Sequence, residues 1–289
     1  MSEILVPLDG TAHATVALPV AQTLARLLDG TLHVLHVAKR TVPPQQLLAT
    51  LGLTPEAVRG TVLDAATGSP AEAIVRAARE AEDATIVLCT HTGMEKPTGT
   101  LGHVADEVLR TTLQPLVLVQ PERGHRPWVV DHILLPHDGT PATASGLKPA
   151  ARLARRARAE LLVLHVAEPG GGQPPEPGTF TTPRYVDQPQ HEWPSWATEF
   201  LERAGQMGGL PEDLTLRLQV ATGDPGAEIV RTARERGTDL IVLAWHGHHE
   251  AARARTMKTV IHDAPCPVFV CRVPGPASDS AHSSKPETT

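Results

Sequence analysis

The 289-residue sequence is short of sulfur, aromatic rings and long apolar runs, and each shortage removes a class of protein. Three cysteines cannot build a disulfide framework. Cys266 and Cys271, as residues of one strand, would stand about 16 Å apart at ~3.3 Å per residue, beyond the reach of a bridge. Cys89 sits inside an apolar run and reads as a small buried hydrophobe. With three Phe and one Tyr there is little with which to stack bases, and the net charge of −6 is spread over the chain. Residues 1–121 carry 12 acidic and 8 basic side chains and the remainder 20 and 18, so both halves are acidic and no nucleic-acid partner is expected. No apolar stretch approaches the roughly 18–20 residues of a spanning helix. The start, MSEILVPLDG, lacks the basic flank of a signal peptide. A cytoplasmic protein without a membrane segment is the expectation. Enzyme motifs are missing as well: there is no G-x-S-x-G elbow, no Walker A sequence and no His-Glu-x-x-His, so no catalytic residues are assigned.

What the chain does contain is one unit written twice. Ile4 to Val37 aligns without a gap on Ile133 to Val166, with 16 of 34 positions identical. Ala66 to His91 aligns on Ala221 to His246, with 14 of 26 identical. The offset grows from 129 to 155, so the second copy carries 26 extra residues, in the Pro- and Gly-rich stretch 168–196. That stretch has no periodicity and reads as a long surface loop.

Within each copy strand and helix patterns alternate. Four of the five strand segments are near-continuous apolar runs, as strands buried on both faces of a parallel sheet should be. The first helix shows Leu18, Ala21, Leu24 and Leu28 on one face, repeated as Leu147, Ala150, Leu153 and Ala157. Thr140-Pro141, Ser69-Pro70 and Asp224-Pro225 read as N-caps followed by a proline at the first helical position. The reading is α/β: two doubly wound domains in tandem, at 1–121 and 130–273, joined by a linker at 122–129 and followed by a disordered tail at 274–289.

In such a sheet a ligand sits beyond the carboxyl ends of the strands, where the strand order reverses. The loops that would meet there contain Asp9-Gly10-Thr11 and Asp138-Gly139-Thr140, then His36-Val37 and His165-Val166. After the fourth strand come Thr90-His91-Thr92-Gly93 and Trp245-His246-Gly247-His248. The repeated Asp can accept hydrogen bonds from a nucleobase or ribose, or cap its own turn; the same geometry serves both.

These motifs, with the ATG-x-P helix entry and the closing His262-Asp263-Ala264-Pro265-Cys266-Pro267-Val268, resemble the universal stress protein family in its tandem two-domain form. The resemblance spans residues 2–120 and 130–272. It implies five parallel strands per domain in the order 3-2-1-4-5, a Rossmann-like fold, and an internal pseudo-dimer paired through the fifth strands. It also implies a stress-response role, a small-molecule ligand and a protein partner. Relatives that bind ATP have a glycine-rich loop after strand four, whose backbone N–H groups cradle phosphate at a helix N-terminus.

Both copies depart from that loop. Copy one has Thr92, Glu95 and Gly102 at the three glycine positions and His103 in place of the hydroxyl residue, while Gly93 and Gly99 partly compensate. Copy two keeps Gly247, but Glu250 and Ala254-Arg255 fill the later positions. Glu95 and Glu250 bring negative charge to the place of phosphate, unless Lys96, or Arg253, Arg255 and Lys258, offset it. The resemblance therefore implies a degenerate nucleotide site built on Asp9, Gly10, Val37, Gly93, Gly99, Gly102 and His103, with Asp138, Val166 and Gly247 as the second set, and no strong ATP binding. The alternatives are an ATP-dependent switch or weak ATPase in the first domain, or a zinc-binding module made of His137, His165, His246 and His248 in the second.

Overall fold

The computed structural model describes residues 2–81, 83–91, 101–167, 179, 193–208, 216–245 and 251–272. The first half runs β1 (Glu3–Pro7), α1 (Ala17–Leu28), β2 (Thr31–Ala38), α2 (Pro44–Leu51), β3 (Val62–Thr67), α3 (Pro70–Glu80), β4 (Ala84–Cys89), α4 (His103–Thr111) and β5 (Leu116–Val119). The second runs β6 (His132–Pro136), α5 (Pro141–Ala144), α6 (Leu147–Ala157), β7 (Glu160–Ala167), α7 (Trp193–Gly208), β8 (Arg217–Thr222), α8 (Pro225–Glu235), β9 (Leu240–Trp245), α9 (Ala251–Asp263) and β10 (Val268–Arg272).

All ten strands form one sheet in the order β3-β2-β1-β4-β5-β10-β9-β6-β7-β8. Each half is parallel in the order 3-2-1-4-5, as the family resemblance implies. The halves join antiparallel through β5 and β10, with Val117 opposite Phe269. Pairing these two strands removes an open edge from each half. The apolar runs of β1, β4, β5, β6 and β9 fall on these inner strands, whereas β3 and β8 form the rims, and Val62 on β3 is exposed. Helices α1 and α6 cover one face of the sheet, and α3, α4, α8 and α9 the other.

The linker is part of this packing. Trp128 is buried; its indole N–H donates to the Asp239 carbonyl at 3.0 Å, and Thr23 of α1 donates its hydroxyl to the Trp128 carbonyl at 3.0 Å.

Three local features differ from the sequence reading. The helix opened by Thr140-Pro141 does start there, with the Thr140 side chain accepting from the Thr143 N–H, but it breaks at Ser145-Gly146 into α5 and α6. A Cβ at Gly146 would stand 3.1 Å from a Leu135 methyl, so the break lets the chain pass close over β6. Ser69 occupies the N-cap of α3 without a side-chain hydrogen bond, whereas Asp224 does accept from the Ala227 N–H at 2.9 Å. Helix α7 begins at Trp193, so the last four residues of 168–196 are helical. Apart from Thr179, residues 168–192 lie outside the described residues, as does the tail 274–289.

Candidate functional site

Two equivalent crevices follow from the topology. β1 has β2 on one side and β4 on the other, and β6 has β7 and β9, so the strand order reverses at both places. Asp9 and Asp138 follow the first strand of their pair. Val37 and Val166 lie one residue before the ends of β2 and β7, half-buried, opposite Ala66 and Ala221. Gly102 and His103 open α4, and the Gly102 N–H donates to the Thr90 carbonyl at 2.8 Å, tying the helix start to the end of β4. Gly93, Gly99, Gly247, His246 and His248 lie outside the described residues.

The two Asp-Gly-Thr turns share one design. Asp9 Oδ1 accepts the backbone N–H of Thr11 at 2.9 Å and its hydroxyl at 2.7 Å. Asp138 Oδ1 does the same with Thr140, at 3.0 and 2.6 Å. Gly10 and Gly139 take φ of 88° and 86°, where glycine carries no Cβ penalty. At Gly10 a Cβ would also lie 2.6 Å from the Thr50 carbonyl oxygen of α2, so the turn packs directly on that helix.

Beyond the shared turn the copies diverge. Asp9 is exposed, and its Oδ2 has no partner among the described residues. Asp138 also takes the Thr143 hydroxyl at 2.7 Å, and its Oδ2 accepts from the Arg253 guanidinium at 3.0 Å. Burial raises the Asp138 pKa, but Arg253 and the hydroxyls of Thr140 and Thr143 outweigh it and hold the carboxyl below its usual range. Arg253 reaches the Thr140 hydroxyl at 3.3 Å as well. Aligning the two final strands, Pro115–Val119 on Pro267–Cys271, places Leu101 at the position of Arg253. The first crevice therefore has no equivalent cation at that position.

The histidines are also placed differently from the zinc reading. His36 Nδ1 donates to the Leu8 carbonyl at 2.8 Å, and His165 Nδ1 to the His137 carbonyl at 2.9 Å, so this histidine braces the turn in both copies. His137 replaces the core residue Leu8. Its Nδ1 accepts the Gly139 N–H at 2.9 Å, which places its proton on Nε2, an atom with no hydrogen-bond partner among the described residues. The rings of His137 and His165 pack on buried Phe200 of α7, with centroids 5.2 and 5.3 Å away. Burial lowers the His137 pKa to about 4, the nearby Asp138 charge opposing and His165 adding to the shift. These imidazoles are thus core groups engaged with backbone, and the Asp138 carboxylate is held by Arg253. Among the described residues no cluster of three metal-ligating side chains exists, and the zinc assignment to His137 and His165 finds no support.

Reading the sequence missed the roles of Thr143, Phe200 and Arg253 as an Asp138 partner. The Arg253-for-Leu101 exchange was visible in the repeat alignment; the Phe200 contact was not, because the inserted segment obscures the register of α7. The three thiols are buried and free, and burial raises the pKa of Cys89 to about 11 and of Cys271 to about 12, so neither is a nucleophile at neutral pH. No described helix is long and apolar enough to cross a membrane.

The family model described as the universal stress protein family matches residues 1–120 and again 130–272. No curated protein matches the chain in sequence. Among solved structures, a universal stress protein from Archaeoglobus fulgidus is 16% identical with a TM-score of 0.64, over 93% of this chain and 98% of that one. A protein of unknown function from Pseudomonas aeruginosa is 18% identical with a TM-score of 0.67, over 93% and 92%. At these identities the two structures testify to the fold alone.

Proposed function

The chain belongs to the universal stress protein family, and from that premise we propose a stress-response binding module in which only the first crevice accepts an adenine nucleotide, and accepts it weakly. The observation that carries this reading is the contrast between Asp9, with one carboxylate oxygen directed to no described partner, and Asp138, with both oxygens engaged. A ligand entering the second crevice must displace Arg253 from Asp138. That loss is on the order of 1–3 kcal/mol, or about 5- to 150-fold in affinity. In the first crevice, Asp9 can take hydrogen bonds from a base or ribose. The first turn of α4, from His103, offers N–H groups that have no side-chain cap among the described residues to a phosphate.

Weakness follows from the missing glycines and from Glu95 at a cradle position; residue 95 itself lies outside the described residues. Isothermal titration of the full chain with ATP tests the reading. One site per chain with a dissociation constant on the order of 100 µM is expected, weakened at least tenfold by Asp9→Asn. Two equal sites, or a single site indifferent to Asp9→Asn, would contradict it.

A further inference from the structure

On the face that carries α3, α4, α8 and α9, a groove of about 1610 Å³ runs between α4 and α9 along the β5–β10 seam. Asp9, Gly10 and Val37 are not among its lining residues, whereas Thr90 and His103 are, so it borders the first crevice at the start of α4 and extends away from it. Its walls include apolar Leu109, Met257 and Ile261. Gln120, just beyond β5, lines the groove and is only 8% exposed. Its Nε2 donates to the Ile261 carbonyl at 3.2 Å, which fixes the orientation of the amide. Its Oε1 is buried and has no hydrogen-bond partner among the described residues. An acceptor left unmade in this way costs about 1–3 kcal/mol, which a donor on a bound molecule would recover.

The charges around the groove are unevenly matched. Asp106 pairs with Arg110 at 3.5 Å, Asp263 with His262 at 2.7 Å, and Asp239 accepts two backbone N–H groups at 2.9 Å. Glu122 is engaged as well. The guanidinium of Arg123 donates to carbonyls of its own loop, and Arg272 to the Thr112 and Arg110 carbonyls, so neither charge meets a carboxylate in these bonds. Arg126 and Lys258 have no side-chain partner among the described residues.

We propose that the α4–α9 groove is a second ligand site, taking an amphipathic organic anion: the anionic head lies beside Arg126, the apolar body along Met257 and Ile261, and an N–H or O–H of the ligand donates to Gln120 Oε1. The volume exceeds the roughly 300–1,000 Å³ of a compact small-molecule pocket, which suits an elongated occupant.

The probe 8-anilinonaphthalene-1-sulfonate combines a sulfonate, an aromatic body and an amine N–H. Fluorescence titration of the full chain should give one saturable site, weakened about tenfold by Gln120→Leu and by Arg126→Glu. Asp9→Asn should leave the dye affinity unchanged, and ATP should not displace the dye. Arg126 is exposed, so its variant keeps the test decisive if Gln120→Leu fails to fold. Equal affinity in Arg126→Glu, or displacement of the dye by ATP, would overturn the proposal. Absence of ATP binding with an intact, Arg126-dependent dye site would refute the nucleotide reading alone.

Discussion

At the residue scale, the two copies differ most where one side chain changes the fate of another. Arg253, at the position of Leu101, engages the second oxygen of Asp138, whereas that of Asp9 has no partner among the described residues. This exchange was legible in the repeat, but its consequence was not: a loop arginine next to Glu250 reads as a phosphate counter-charge until the structure shows which carboxylate it reaches. Leu8 against His137 places an imidazole in the core. Unfolded, His137 takes up a proton near pH 6.5; folded, only near pH 4. Between these values the unfolded state binds more protons, so stability falls as the pH falls, by up to about 3 kcal/mol from this group. The lowered pKa values of His165 and Asp138 act in the same direction. His137→Leu, which restores the residue of copy one, should flatten the loss of thermal stability between pH 7 and pH 4.5 without abolishing it. Parallel curves for the two proteins would refute this role.

At the element scale, the strands and principal helices were legible because a buried parallel strand leaves a short continuous apolar run and an amphipathic helix an apolar stripe of period ~3.6. The early helix α2 was not, since Pro44–Leu51 buries only Leu47 and Leu51 and shows little pattern. The break before α6 was hidden for another reason: it depends on the close approach of Gly146 to β6, which no local propensity encodes. Close approach also governs α4. A Cβ on Gly102 would stand 2.9 Å from the Thr90 carbonyl oxygen, backbone against which nothing can rotate away. Gly102→Ala should displace the first turn of α4, cost about 1–3 kcal/mol in urea unfolding, and weaken ATP binding with it. An unchanged unfolding midpoint would show that the helix start adapts freely.

At the scale of the whole molecule, the tandem repeat becomes one body because β5 and β10 complete each other and Trp128 bonds to both halves. Phe269, buried opposite Val117, lies at the centre of that seam. Phe269→Ala should cost about 3–5 kcal/mol. Circular dichroism and tryptophan fluorescence should report one coincident transition in the native sequence, because each half alone leaves the edge of its fifth strand unpaired. Two separated transitions would mean that the halves fold independently. Within this single body the central proposal is asymmetry: the first crevice takes nucleotide, whereas in its twin Arg253 holds the Asp138 carboxylate that a ligand would need. Photolabelling with 2-azidoadenosine triphosphate, followed by peptide mapping, tests it most directly. The account predicts label within residues 1–121, suppressed by unlabelled ATP and by Asp9→Asn, with none above background in residues 130–272. Label of equal strength in both copies, or confined to the peptides around Asp138 and Arg253, would contradict it.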